Sequence, residues 1–188
     1  TTSLFWDDDA SAPNVAWPGL NDSAAIFGGT GDLVTINTGA TGVTANSLVF
    51  NTTGYTIAGN TAAELLTLAG TTPTITVTTA GDVATISANI AGTTLTKAGD
   101  GTLVLGGTNT HTGTTDITGG TLRFSAGANL GDASATNTLA GSNNATLEFN
   151  GGAAGDLGTN RTLAIGTGGA SLAVSGAGAL TLSGFISG

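Results

Sequence analysis

The sequence is built from short apolar alternations of three to five residues, which are separated by turns of Gly, Asn and Asp. These segments lie at 33–36, 47–50, 65–68, 74–78, 83–86, 102–105, 121–124, 146–149, 162–165, 171–174 and 180–182. A period of two indicates strands with one buried face, and none of the segments is long enough for a helix. The sequence therefore predicts an all-β protein with many short strands and many tight turns.

Charge and composition exclude several classes of protein. Only 8% of the residues are charged, with three Lys and Arg in total and a net charge of −9, so a nucleic-acid binder is not expected. No stretch approaches the ~20 apolar residues of a membrane-spanning helix, so membrane insertion is not expected either. Cysteine is absent, which excludes a disulfide scaffold and is compatible with an extracellular bacterial protein.

Two all-β architectures fit this pattern. A β-sandwich would show clear hairpin turns, but Asn-Gly occurs only at Asn150-Gly151. Short strands with Gly bends better suit the corners of a β-solenoid, in which each strand pairs in parallel with its equivalent about 20 residues away. Segment 47–51 resembles 146–150, and segment 84–92 resembles 180–188. These shifts of nearly equal length predict two loose copies of a unit of about a hundred residues.

Residues 95–124 carry the densest motif in the chain. They read LTKAGDGTLVLGGTNTHTGTTDITGGTLRF. This segment resembles the passenger-associated repeat of bacterial autotransporters, except that His111 stands where that family usually has Tyr. The resemblance implies a right-handed parallel β-helix, and passengers of this family are mostly adhesins, biofilm factors or stalks. Outside this segment the chain is similar to the family in its general sequence character, without a match to the motif.

The motif also predicts the surroundings of its own residues. Gly99 and Gly101 are expected at a tight corner, because glycine accepts positive φ. Asn109 is expected in another corner, where its amide bonds neighbouring backbone or an equivalent Asn in the next coil. His111 is expected to lie on an exposed corner. The apolar residues expected to point inward are Leu103, Leu105, Ile117, Leu122 and Phe124.

Residues 1–27 differ from the rest of the chain. They hold both tryptophans, Trp6 and Trp17, as well as Phe5 and the acidic run Asp7, Asp8 and Asp9. A solenoid must cover its first strands against edge pairing, and bulky aromatics serve this purpose. We therefore predict an aromatic cap at 1–27 followed by a β-solenoid at 28–188. Because no leader segment is visible, the N-terminus is expected to be that of a mature secreted chain.

The candidate binding and catalytic residues are few. The run Asp7 to Asp9 is the one acidic cluster that could hold Ca²⁺, although its spacing matches no calcium loop, and neither a metal nor a cofactor is expected. The single histidine and the scattered Lys97, Arg123 and Arg161 do not form a catalytic constellation. The sequence therefore predicts a protein that is not an enzyme.

Two functions stay open from the sequence. The first is a structural or adhesive β-solenoid secreted to the bacterial surface, as a filament or adhesin-stalk element. Its partners would be flanking passenger domains or other copies stacked head to tail, with Phe185 and Ile186 at the joint. The alternative is a threonine ladder that binds ice or surface polysaccharide, with Thr-x-Thr runs at 74–78 and 110–114.

Overall fold

A computed structural model describes residues 4–6, 24–38, 42–132, 137–139, 145–166 and 169–188, with 4–6 and 137–139 described by their backbone alone. Over these residues the chain forms 21 strands of two to four residues and one 3₁₀ helix. Because Gly, Thr and Asn interrupt every apolar run, no strand grows longer.

The strands form four sheets. Sheet A contains β1 (Leu4–Trp6), β2 (Ala24–Phe27), β5 (Ser47–Phe50), β8 (Thr74–Val77), β11 (Leu95–Ala98), β13 (Thr115–Ile117), β15 (Asn137–Leu139), β18 (Thr162–Ile165) and β21 (Phe185–Ser187). Sheet B contains β3 (Leu33–Ile36), β6 (Thr56–Gly59), β9 (Val83–Ile86), β12 (Thr102–Leu105), β14 (Thr121–Phe124), β16 (Thr146–Phe149) and β19 (Ser171–Val174). Sheet C contains β4 (Val43–Ala45), β7 (Leu66–Leu68) and β10 (Ile90–Gly92), and sheet D contains β17 (Gly155–Asp156) and β20 (Leu180–Thr181). The helix η1 spans Gly127–Leu130.

Every strand pair is parallel, so the chain passes from sheet to sheet and returns one strand further along. Neighbours in sheet A are 20 residues apart where Leu95 meets Thr115 and 27 apart where Leu48 meets Ile75. The parallel β-solenoid is therefore confirmed, and the sandwich is excluded because it needs antiparallel hairpins. The coils are longer than the expected 20 residues wherever a third strand or a loop is added. The right-handed sense of coiling stays a prediction.

Inward-facing side chains stack from coil to coil and form the core. In sheet A, Phe27 lies in register with Phe50, and their rings stack with centroids 4.7 Å apart. In sheet B, Leu103, Leu122 and Leu147 form one column of fully buried side chains. All five residues predicted to point inward in segment 95–124 are at most 1% exposed. A fully buried side chain of this size contributes roughly 1.5–3 kcal/mol.

The corner at Gly99 is confirmed, with a φ of +77°. At Gly101 the expected reason was wrong in part, because Gly101 is not among the glycines with positive φ. A Cβ there would lie 2.5 Å from the side chain of Val77 and 2.7 Å from the carbonyl of Thr79. Gly101 is therefore required by the close approach of the preceding coil.

The expected two copies of a hundred-residue unit are not present. Strand β5 at 47–50 lies in sheet A, whereas β16 at 146–149 lies in sheet B. Segment 84–92 spans sheets B and C, whereas 180–188 spans sheets D and A. The similar sequences reflect a four-residue pattern that suits any face of the solenoid, so they do not mark equivalent positions.

At the last strands of the described chain, residues on inward columns are open to solvent. Leu172 follows Leu147 in its column and is 40% exposed, and Val174 follows Phe149 and is 53% exposed. In β21, Ile186 follows Leu163 in its column and is 58% exposed, while Phe185 continues the outward column of Thr162 and is 74% exposed. These side chains have no further coil stacked on them within the described residues, and together they form an apolar surface that we call the β19–β21 end.

Candidate functional site

The outer face of sheet B carries a column of hydroxyl side chains. Thr102, Thr121, Thr146 and Ser171 occupy successive register positions, and Val83 precedes them. Neighbouring strands are about 4.8 Å apart, so these hydroxyls recur at that interval. This arrangement, which we call the sheet B hydroxyl column, is a regular surface that could contact a repeating ligand.

The adjacent outward column of sheet B is charged. Arg123 Nε donates to Glu148 Oε2 at 2.8 Å, and Ser175 Oγ donates to Glu148 Oε1. Partial burial raises the pKa of Glu148, but the hydrogen bonds from Ser175 and Arg123 outweigh it and hold the pKa below its ordinary value. A partly exposed ion pair of this kind contributes ~1 kcal/mol at most. The ion pair also places charged side chains beside the sheet B hydroxyl column.

The predicted threonine runs are placed differently. Thr74 and Thr76 lie on the outer face of sheet A, but their register partners on one side are Ser47 and Val49. The run at 110–114 lies outside the strands. A shallow groove of about 500 Å³ lies beside β8, lined by Asn46, Ser47, Val49, Gly70, Thr71, Thr72, Thr74 and Thr76. Neither predicted run therefore recurs as Thr-x-Thr from coil to coil.

Several charged side chains are buried in the corners, where they bond the backbone. Lys97 is fully buried on an inward column between Ile75 and Ile117. Its Nζ donates to the carbonyls of Ala98 at 2.8 Å, Gly99 at 2.8 Å and Gly119 at 3.1 Å. Burial lowers the pKa of Lys97 and the nearby charge of Asp100 partly opposes this shift, so the pKa is about 8. Lys97 therefore joins two coils.

Glu64 and Arg161 act in the same way elsewhere in the solenoid. Glu64 is 1% exposed and accepts hydrogen bonds from the amides of Thr38 at 2.7 Å and Thr61 at 2.9 Å. Arg161 is 2% exposed and donates to four backbone carbonyls, those of Gly127, Leu130, Gly131 and Leu157. Burial lowers the pKa of Arg161, and Asp132 partly offsets this shift. Both side chains therefore hold separate backbone segments of the solenoid together.

The expectation of an exposed His111 was wrong. The side chain is fully buried, and its Nε2 lies 2.8 Å from Thr115 Oγ1. The ring is covered by Gly131, where a Cβ would fall 2.5 Å from Nε2. The Tyr position of the repeat was expected to face solvent, but here the turn after η1 closes the corner over the ring. The expected role of Asn109 is confirmed, since its Oδ1 accepts from the amide of Ile90 at 2.8 Å.

The residues predicted for capping, assembly and calcium binding are placed only in part. Asp7, Asp8, Asp9 and Trp17 lie outside the described residues. Phe5 and Trp6 belong to β1, and the backbone of Trp6 is in register with Phe27. Phe185 and Ile186 lie at the exposed β19–β21 end. The division into a cap at 1–27 and a solenoid at 28–188 stays a prediction.

The described side chains do not form a recognisable catalytic or metal centre. Within those ranges, no group of three or more His, Asp or Glu residues lies close enough to hold a metal ion. The same part of the chain contains no helix long and apolar enough to cross a membrane. The burial of Glu64 and Arg161 was not predicted from the sequence. Only 8% of the residues are charged, and an isolated charge in such a sequence was an available signal of a structural role.

Fold and surface together define a parallel β-solenoid whose buried polar groups hold adjacent coils in register. Comparison with known proteins identifies a family repeat within this solenoid. Residues 95–124 match the passenger-associated-transport-repeat family. The chain therefore carries a passenger-associated repeat of the autotransporter type, which confirms the resemblance seen in this segment of the sequence.

One curated relative is similar over most of the chain. The chain is 39% identical over 158 residues to the adhesin BmaC autotransporter of Brucella suis biovar 1 (strain 1330). The aligned region covers 82% of this chain but only 4% of the relative, so the chain spans a small part of that adhesin's length. No solved structure matches the chain significantly.

Proposed function

We propose that this chain is a stalk segment of an adhesive passenger displayed on a bacterial surface, and that its role is structural and not enzymatic. The observation that carries the proposal is the uninterrupted register of sheets A and B, in which each coil supports the next. The 39% identity to an autotransporter adhesin supports the adhesive and extracellular setting. The acidic composition and the absence of cysteine are compatible with this location.

The β19–β21 end supports stacking on another coil. Leu172, Val174 and Ile186 continue inward columns that are buried in the preceding coils. Another coil would cover them and would pair with the open backbone of β19 and β21. In a stalk this coil belongs to the same passenger. Head-to-tail filaments of separate copies would use the same surface, so electron microscopy of the purified chain distinguishes uniform fibres from short single rods.

A coil deletion tests the stalk proposal. Because Leu95 and Thr115 are register partners, removal of 95–114 takes out one coil and joins strands that already align. The proposal predicts that cells producing this variant still display the passenger and adhere to an epithelial cell layer as the parent does. A matched deletion of half that length, 95–104, shifts the register and should abolish display. Loss of adhesion with intact display in the full-coil variant would contradict a spacer role.

A second candidate function is the binding of a repeating polysaccharide along the sheet B hydroxyl column. The observation that favours it is the recurrence of Thr102, Thr121 and Thr146 at one register position. Replacement of these three residues by Val should abolish retention on insoluble cellulose or chitin. Val at Thr74 and Thr76 on sheet A is the matched control. Equal retention of both variants, or no retention of the parent chain, would contradict this function.

A further inference from the structure

One corner of the solenoid holds a histidine in a position that does not suit its charged form. His111 is fully buried, and its Nδ1 has no hydrogen-bond partner among the described residues. Its Nε2 is hydrogen-bonded to Thr115 Oγ1. Whichever tautomer is present, protonation would leave the imidazolium with an N–H that lacks an acceptor among those residues. A buried unsatisfied donor destabilises the closed corner.

The neighbouring cation makes protonation of His111 still less favourable. The guanidinium of Arg161 holds the carbonyls of Gly127, Leu130 and Gly131, and Gly131 covers the imidazole ring. Burial and, to a smaller extent, the charge of Arg161 together lower the pKa of His111 to about 4. Two cations would share one buried corner if the ring were charged.

Few other ionisable groups face this corner. Asp132 lies beside Arg161, and its backbone amide donates to the His111 carbonyl at 2.9 Å. Asp116 belongs to the neighbouring strand β13, where it accepts from Thr114 Oγ1 at 3.2 Å on the outer side of sheet A. The sequence from 133 to 144 contains no ionisable side chain. Thus Arg161 is the charge that opposes protonation of His111, and the interaction of Asp132 is with Arg161.

From this geometry we infer that His111 is an acid-sensitive latch, whose protonation releases the 127–132 turn from the coil below it. The turn is the cover that must move for the ring to reach water, because Gly131 lies directly on it. The latch operates whether or not the chain serves adhesion, so its failure and the failure of the proposed function are separate results. In a stalk it would loosen one coil–coil contact in acid.

The expected size of the effect follows from linkage. The pKa of His111 is about 4 in the closed turn and is expected to be 6.5 in the open turn. Protonation therefore favours opening increasingly as the pH falls from 6.5 to 4, and a further fall in pH does not increase the opening equilibrium. Between pH 7.5 and pH 5 the opening equilibrium of the turn should rise about 30-fold.

Hydrogen exchange of the full chain, corrected for intrinsic exchange rates, measures this opening at the 127–132 amides. We expect the 30-fold rise there and no rise in the turn at 51–55, which contains no group that titrates in this range. The double variant His111→Phe with Thr115→Val keeps the ring and removes both polar partners, so its 127–132 turn should not respond to pH. A rise of the same size in that variant, or no rise in the parent chain, would overturn the latch.

A second measurement does not depend on the variant folding. The chain contains one histidine, so a single imidazole signal reports His111 in a proton NMR titration. The latch predicts a midpoint well below 6.5, together with changes in the amide signals of 127–132 over the same pH range. A midpoint near 6.5 without amide changes would contradict it.

Discussion

Replacement of Glu64 by Gln tests the idea that buried charges hold the coils in register. Each carboxylate oxygen of Glu64 accepts one backbone amide, that of Thr38 in the preceding coil and that of Thr61 in its own coil. Gln keeps the shape of the side chain but has one acceptor oxygen, and its NH₂ group would face the second amide. The substitution therefore removes one hydrogen bond to a charged acceptor and leaves a partly buried N–H unpaired.

The expected cost is about 2 kcal/mol, within the range for hydrogen bonds to charged groups. Because solenoid stability depends on nearest-neighbour interfaces, this cost should appear locally. Hydrogen exchange at Thr38 and Thr61 should accelerate about 30-fold, since 1.4 kcal/mol corresponds to a factor of ten. Amides in β12 and β14 should exchange as in the parent chain.

Glu148→Gln is the matched control, because it makes the same chemical change on the outer face of sheet B. Its ion pair with Arg123 is partly exposed, so the effect should stay below ~1 kcal/mol. Equal protection of Thr38 and Thr61 in Glu64→Gln and in the parent chain would refute the reasoning. So would a loss of protection spread evenly along the solenoid.

Three further predictions concern stability. Arg161→Met removes four hydrogen bonds to backbone carbonyls, three of them buried, and should cost about 3–5 kcal/mol in chemical denaturation. A cost below 1 kcal/mol would contradict the structural role of Arg161. Gly178→Ala would place a Cβ 1.9 Å from the Ala153 carbonyl and should lower the melting temperature, whereas Gly152→Ala enters open space and should not. For Lys97 the folded pKa of about 8 lies below the unfolded 10.5, so stability should rise by up to about 3 kcal/mol between pH 8 and 10.5. That rise should be absent in Lys97→Met.

The sequence was informative where strands alternate cleanly. All eleven predicted segments are strands within a residue or two at their ends, because Leu, Val, Ile and Phe at every second position need a buried face. Strands such as Val43–Ala45, Ile90–Gly92 and Gly155–Asp156 were not predicted. They are too short and too rich in Gly, Ala and Thr to show a period, and pairing with neighbouring coils holds them extended.

The buried polar corners were the least predictable part of the candidate site. His111 and Arg161 are 50 residues apart in sequence and meet only because the coils stack. Whether a lone charge lies in a corner or in solvent depends on the loop that covers it, and this loop carries no pattern. The inward residues of segment 95–124 were predictable, because there the motif fixes strand, corner and face together.

Distances between spin labels test the stacked parallel register most directly. The chain has no cysteine, so Val83→Cys can be paired in turn with Thr121→Cys, Thr146→Cys and Ser171→Cys. These positions lie two, three and four strands from Val83 along one outward column of sheet B. The solenoid predicts backbone separations of about 10, 14 and 19 Å that increase in equal steps. Separations that do not increase in this order would contradict the fold and the stalk built on it.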